Sequence, residues 1–363
     1  MIIYIFEMFF ILSSGYLLKS KRITKKAFLI ISYFSMALIL GLRGSSVGED
    51  TLNYINVFEK TKYISWRTIF TSGTDVVYAT VWNYERKMEV GYIVLNKLIR
   101  TFTYNPQWLL IIVAFVTYFL MGKFIYDNCN NVFLPTYIIL CESFYMQSFN
   151  LMRQSLSIAI GLQAYTILKN NRKRALFKAI ITIFIACLFH KSAVALLAII
   201  PLTLMNSSQR NFRILIILSF ISPMFIPAIR NIVASLVPRY VGYFDNNYWE
   251  VKIGGILALW IIEIIIIIYT FFKYKIEDGK EIFISVSCVA LYLALEIIGL
   301  RISVFNRVSL YFRVFLIFFL PNFSTYMKPK SKFIYTTSLV ILLSLLFLSY
   351  ASETSRLYNF YWN

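Results

Sequence analysis

The sequence predicts an all-α, polytopic integral membrane protein of about 12 transmembrane helices (10 to 12), with one large extracytoplasmic loop and an interfacial amphipathic helix. Three observations point there. Hydrophobic residues make up 59% of the 363 residues, and the mean hydropathy is +0.68, too apolar for the two soluble domains this length would otherwise suggest. Apolar runs of bilayer-spanning length recur along the chain. The basic residues behind the net charge of +19 gather in short loops between those runs, the pattern of cytoplasmic loops facing anionic lipid, which argues against a nucleic-acid partner.

The first span is expected at 1–18, retained because neither a basic leader nor a small-residue cleavage site accompanies it. Lys19, Lys21, Arg22, Lys25 and Lys26 then form a basic loop, which places the N-terminus outside and delivers the end of the second span, 27–42, to the outer face. Residues 43–106 are polar and aromatic-rich and form the large loop, inserted into a single membrane domain covering 1–363. Within it, 89–100 reads as a helix lying in the interface. Further spans are expected at 108–126, 132–146 and 151–168, before a second basic loop around Lys169, Arg172, Lys173, Arg174 and Lys178.

The stretch 177–205 is either one overlong helix or two short ones breaking at His190-Lys191-Ser192. The break keeps Arg210 and Arg213, then Lys273, Lys275 and Lys280, then Lys328, Lys330 and Lys332 on the inner side, so the break is expected, with His190 outside. The remaining spans fall at 212–229, 253–272, 282–300, 302–320 and 333–350, leaving both termini extracytoplasmic and an aromatic tail, 358–362, at the interface. Cys129, Cys141, Cys187 and Cys288 lack metal or disulfide spacing and read as small core residues. Neither a metal nor a cofactor is expected.

On this topology a set of polar side chains converges on the outer leaflet: Arg43 and Asp50 after the second span, Glu89 in the loop, Arg153 and Gln154 opening the fifth, His190 at the break, and Arg301 and Arg307 near the eleventh. Arginine suits a phosphate-bearing ligand because its planar fork donates paired hydrogen bonds and stays charged when partly desolvated. Snorkelling to headgroups explains any single arginine near a helix end equally well. Arg313 lies deeper and needs a partner. Asp50 fits either a ligand-side role or a turn that caps the helix begun by Thr51, and Glu89 fits the first turn of a helix. His190, the sole histidine, has an unperturbed pKa near ~6.5 that allows proton exchange at neutral pH, although a lone histidine at a break is also a common structural hydrogen-bonding group. Glu142, Glu263 and Glu296 lie in spans, where pairing or a path would justify them. There is no phosphate loop, nucleophile elbow or Asp-x-Asp pair, which removes support for ATP-driven transport and nucleotide-sugar chemistry.

Four places, in order along the chain, resemble the EpsG-like group of Wzy-type bacterial polysaccharide polymerases: Arg43 with Val47-Gly48, Asp50-Thr51 and Tyr54; Glu89 with Gly91-Tyr92; Arg153-Gln154; and Phe189-His190-Lys191-Ser192-Ala193. Arg307 with Tyr311-Phe312 and Pro321 is a looser fifth. After Gln154 the chain reads Ser155-Leu156-Ser157 where the pattern continues Leu-Ala.

The resemblance implies a glycosyl transfer at the outer face of the bacterial cytoplasmic membrane, in which a glycan on undecaprenyl pyrophosphate moves onto a hydroxyl of the next lipid-linked repeat unit. Donor and acceptor lipid-linked oligosaccharides and membrane lipids are then the partners, with a chain-length regulator and a flippase alongside. Arg43, Arg153 and Arg307, with Arg301 and Arg313, would bind pyrophosphate. Gln154, Tyr54 and Tyr92 would contact substrate. His190, Glu89 and Asp50 are the catalytic candidates, and the residues alone do not separate them; direct attack would invert the anomeric centre. A membrane O-acyltransferase using one histidine is the rival enzyme, although it needs no group of arginines. A flippase is the rival non-enzyme, although internal repeats are not evident.

Overall fold

The computed structural model describes residues 1–81, 84–170, 173–225, 235, 254–275, 279–300, 302–352 and 357–362. Helix accounts for 77% of the chain. It divides into two compact units, residues 1–194 with 340–363, and residues 195–339.

In the first unit, α1 (Ile2–Lys19) and α2 (Lys25–Gly41) flank the first basic loop, and the Thr24 hydroxyl caps α2 by accepting from the Ala27 N–H at 3.1 Å. The 22-residue α6 (Gln107–Asn128) packs along α2. A Cβ on Gly41 would stand 3.0 Å from the Ile111 backbone, and one on Gly122 would meet the Tyr33 ring. Small residues here let two apolar helices approach closely.

Between α2 and α6 the large polar loop expected from the sequence is a folded cap. It runs α3 (Thr51–Lys60), α4 (Trp66–Thr71), a hairpin of β1 (Asp75–Val81) and β2 (Tyr84–Glu89), and α5 (Val90–Phe102). Tyr54, Val57 and Phe58 form one face of α3, and Tyr92, Ile93 and Ile99 one face of α5. These spacings are helical stripes, and both bury into a shared core with Ile64, Ile69 and Val76, Leu109 and Leu110 at the start of α6, and Met152 and Leu156 further on. The helix expected to lie flat in the interface thus turns its apolar stripe into protein. On its other side, Lys97 Nζ donates to the Thr61 carbonyl at 3.2 Å and Arg100 Nη1 to the Phe58 carbonyl at 3.1 Å, satisfying acceptors that the end of α3 leaves open. The hairpin is a departure from an all-α chain.

Two expected spans are broken, and a third stretch breaks where a break is expected. The 132–146 segment divides into α7 (Phe133–Cys141) and α8 (Phe144–Ser148), because Ser143 takes a left-handed φ of 58° directly after Glu142. The 151–168 segment is α9 (Met152–Gly161) and α10 (Gln163–Lys169), interrupted at Leu162. The 177–205 segment breaks as expected: α11 (Ala175–Cys187) ends before His190, and a 3-10 turn, Lys191–Ala198, leads to α12 (Ile199–Leu204).

The tail, expected as an interfacial anchor, straps the turn after α2. Phe360 bridges Arg43 in antiparallel fashion. The Gly44 N–H donates to the Asn359 carbonyl (2.9 Å), the Tyr361 N–H to Leu42 (3.1 Å), and the Tyr358 hydroxyl to Ile39 (2.8 Å). Below it, Tyr4 meets Phe149, Phe347 and Tyr358 edge to face.

The second unit holds α12, α13 (Gln209–Ile221), α14 (Gly254–Lys273), α15 (Lys280–Gly299), α16 (Val304–Arg313) and α17 (Leu316–Phe323), and includes the start of α18 (Pro329–Ala351). Helix α15 is its centre, packed against α12, α13, α14, α16 and α17. Phe212 stacks on Tyr274 at 4.3 Å, and Trp260 Nε1 donates to the Tyr292 hydroxyl at 3.1 Å. Helices α16 and α17 bend by 52°.

Among the described residues four helices are long and apolar enough to cross a membrane: α1, α6, α15 and α18, or five if the bent pair is one span. The count of about 12 is not confirmed. The breaks at Ser143, Leu162 and His190 shorten the apolar helices, and the last four residues of the 212–229 span, as well as Arg301, lie outside the described residues.

Gly48 and Gly73 both sit at positive φ (90° and 70°), but a Cβ on Gly48 would lie 2.4 Å from the Phe149 carbonyl oxygen, whereas nothing lies within 4 Å of one on Gly73. Gly73→Ala therefore carries only the left-handed penalty of about 1–2 kcal/mol, and Gly48→Ala adds a backbone clash. Thermal unfolding in detergent is expected to rank Gly48→Ala clearly below Gly73→Ala; equal melting temperatures would contradict this packing.

Candidate functional site

The site is built where helix α11 stops. The Leu188 carbonyl accepts from the Gly91 N–H at 2.9 Å, and a Cβ on Gly91 would stand 2.8 Å from that same oxygen. Only glycine lets the first turn of α5 abut the end of α11 so closely. This contact brings Glu89, at the N-cap of α5, to the break. Its carboxylate makes no capping hydrogen bond and faces two bases instead: Arg153 Nη1 donates to Oε2, and His190 Nδ1 lies 3.3 Å from Oε1. The side chains of Glu89, His190 and Arg153 are only 11%, 14% and 18% exposed.

Burial by itself would push the Glu89 carboxyl up. The hydrogen bond from His190 and the charge of Arg153 outweigh it and hold the group down at about 2. The carboxylate is therefore ionised throughout the physiological range.

Aromatic rings wall the cluster. The Arg153 guanidinium carbon lies 5.7 Å from the centre of the Tyr92 ring, within cation–π range, and Tyr54 meets Tyr92 edge to face at 6.0 Å. Tyr54 hydrogen-bonds Arg153 and donates its own proton to the Asn150 carbonyl at 2.9 Å. Burial pushes both phenols up, so they stay protonated. Arg153 Nε is buried without a hydrogen-bond partner, an orphan donor of the kind an anionic oxygen would satisfy.

Arg43 lies behind this layer, wholly enclosed at 0% exposure. Its Nη1 donates to the Leu40 carbonyl at 2.5 Å, its Nε to Thr51 Oγ1 at 3.4 Å, and the guanidinium rests 5.6 Å from the Phe149 ring centre. Burial draws its pKa down to about 10, which leaves it cationic. Thr51 Oγ1 in turn donates to the Val47 carbonyl at 2.6 Å, and Gln107 Nε2 ties the Gly41 and Arg43 carbonyls. In this arrangement Arg43 braces the turn that carries Asp50 and Tyr54.

Asp50 stands at the N-cap of α3 without a capping bond, half-buried beside Tyr54, accepting from Asn53 Nδ2 at 3.2 Å. Gln154 is buried next to Arg153. In the second unit, Arg307 is exposed on α16. Arg313 is buried, 5.4 Å from the Tyr292 ring centre and electrostatically coupled to Glu296, which accepts from the Ser309 hydroxyl. That is the ion partner a deep arginine needs.

The structure thus brings together Glu89, Arg153, His190, Tyr54 and Tyr92, with Arg43 behind them. It also adds residues that the sequence reading passed over. Asp75 pairs with Lys191. Asn150 receives the Glu49 N–H on its Oδ1 at 3.1 Å. Glu7, buried in α1, accepts from Ser35 at 2.7 Å; an acid in an apolar helix was a readable signal. Among the described residues no three His, Cys, Asp or Glu side chains gather to hold a metal ion.

The EpsG family model matches residues 26–363. No curated protein and no solved structure matches significantly. The matched stretch contains the bridged turn at Arg43, the Glu89–Arg153–His190 cluster and the whole second unit, nearly the full chain, and the chain belongs to the EpsG family, the family of Wzy-like polysaccharide polymerases.

Proposed function

We propose that the protein polymerises lipid-linked glycan repeat units at the outer face of the cytoplasmic membrane. It transfers the growing glycan from its polyprenyl-pyrophosphate carrier to a hydroxyl of the next unit. The observation that supports this most is the shared Glu89 carboxylate, which holds an arginine and the sole histidine on one half-buried site.

Glu89, held at about 2, is too weak a base to take a hydroxyl proton. Its place at His190 Nδ1 suits an orienting role instead and leaves Nε2 for proton transfer. The acceptor oxygen attacks the anomeric carbon, its proton passes to His190 Nε2, and the bond from that carbon to the pyrophosphate oxygen breaks with both electrons leaving on the lipid pyrophosphate. That leaving group is already a weak base, so charge stabilisation matters more than protonation. Arg153 supplies it through the donor Nε. Arg43 acts by bracing the site, Gln154, Tyr54 and Tyr92 shape it, and Asp50 is the reserve base. Direct displacement inverts the anomeric centre.

Purified protein in liposomes, given the lipid-linked oligosaccharide pool extracted from cells that lack this chain and no nucleotide, is expected to produce a glycan ladder. Arg153→Ala should slow chain growth about 10²–10³-fold, and His190→Gln about 10²–10⁴-fold, at unchanged protein level. A normal ladder from Arg153→Ala would overturn the pyrophosphate assignment, and one from His190→Gln the base assignment.

Glu89 also makes stability pH-dependent. Its folded pKa is depressed, so its contribution, on the order of 3 kcal/mol, is complete above the unfolded value near ~4.3 and is lost as pH falls towards about 2. Unfolding temperatures in detergent between pH 6 and pH 3 should fall more steeply for the native chain than for Glu89→Gln; parallel slopes would contradict it.

A further inference from the structure

The hairpin base pairs Asp75 directly with Glu89. Directly opposed residues of an antiparallel ladder project to the same face, and two carboxylates placed so repel one another. Something must offset that repulsion. Arg153 from α9 offsets part of it at Glu89 Oε2, and the two other compensating groups come from consecutive residues of a single turn: His190 Nδ1 faces Glu89 Oε1 at 3.3 Å, and Lys191 Nζ donates to Asp75 Oδ2.

The main chain of the turn is held independently. The His190 N–H donates to the Ala186 carbonyl (3.1 Å), and the His190 carbonyl accepts from the Ala193 N–H (3.0 Å). Ser157 Oγ, from α9, reaches the Ala186 carbonyl at 2.8 Å and the His190 carbonyl at 3.4 Å. These bonds fix where the histidine starts but leave its side-chain torsions open. Glu89 orients the ring, and the place of Glu89 depends on the hairpin. Besides the Gly91 bond to the Leu188 carbonyl, two contacts tie the hairpin base down: the Val90 N–H donates to the Thr74 carbonyl at 3.0 Å, and Asp75 grips Lys191.

We propose that Asp75 and Lys191 form a positioning pair for His190, so that the β1–β2 hairpin closes on the helix break as a two-point clamp. This rests on His190 acting as the base. The pair itself touches no reacting atom. Its side chains are 23% and 36% exposed, so its contribution to stability is small, and its effect shows in the chemical step.

The test uses the full chain in liposomes with the same extracted lipid-linked oligosaccharide, comparing Lys191→Met, Asp75→Asn, Lys191→Arg, and the charge exchange Asp75→Lys with Lys191→Asp. Misplacing a catalytic group by a fraction of an ångström slows chemistry while leaving binding intact. Lys191→Met and Asp75→Asn are therefore expected to lower kcat about 10-fold with KM within about twofold. Lys191→Arg should keep native kcat, and the exchange should restore it to within about threefold. Native kcat in both single variants would overturn the clamp, as would an exchange no better than either single. A rise in KM without loss of kcat would overturn it too, because it would make Lys191 a substrate ligand. His190→Gln, run alongside, separates the two readings. If it is inactive while the pair variants are normal, the clamp alone falls. If it is fully active, the base assignment falls and takes the clamp with it.

Discussion

A carboxylate buried between an arginine and a histidine is the constraint on which the first unit depends. Glu89 is costly to bury, and only Arg153 and His190 make that burial tolerable. The three come from different places: the end of a hairpin, the first turn of α9, and the break after α11. Removing any one leaves an uncompensated group in a nearly closed space, so the charges hold these segments in register. The close approach at Gly91 is the steric side of the same requirement, since a side chain there would push Glu89 away from the break.

A second layer sits behind that cluster. Arg43 is held by a backbone carbonyl, a threonine hydroxyl and an aromatic face. A charge stabilised in this way stays positive and adds to the potential at Tyr54 and Tyr92, both of which feel it. The polar segment between α2 and α6 thereby becomes a scaffold. Helices α3 and α5 carry the apolar stripes that make the core, and the basic residues on α5 finish the end of α3.

Much of this site was legible because polar residues near the ends of apolar helices need a reason to be there. Arg43, Glu89, Arg153 and His190 stood out on that ground alone, and the structure collects them. Their division of labour was not legible. Whether an arginine meets a carboxylate or a backbone carbonyl depends on tertiary burial, which separates Arg153 on Glu89 from Arg43 on the Leu40 carbonyl. The hairpin was missed because β2, Tyr84-Glu-Arg-Lys-Met-Glu89, is mostly charged and shows no apolar alternation, even though β1 is rich in valine and threonine. The broken spans were missed for a related reason: hydropathy measures how apolar a stretch is and is blind to the left-handed Ser143 that interrupts one. The break at His190 was readable because the basic residues on either side demanded it.

The strap across the Arg43 turn has a consequence for how the protein is made. Ser46 and Asn359 are hydrogen-bonded across 313 positions of sequence, and the main-chain bonds of Gly44 and Tyr361 are of similar range. Contacts so distant form late, after the intervening chain has been synthesised and threaded into the bilayer. The turn after α2 therefore remains open throughout translation of the second unit, and the chain leaves the ribosome before the strap that covers Arg43 can close.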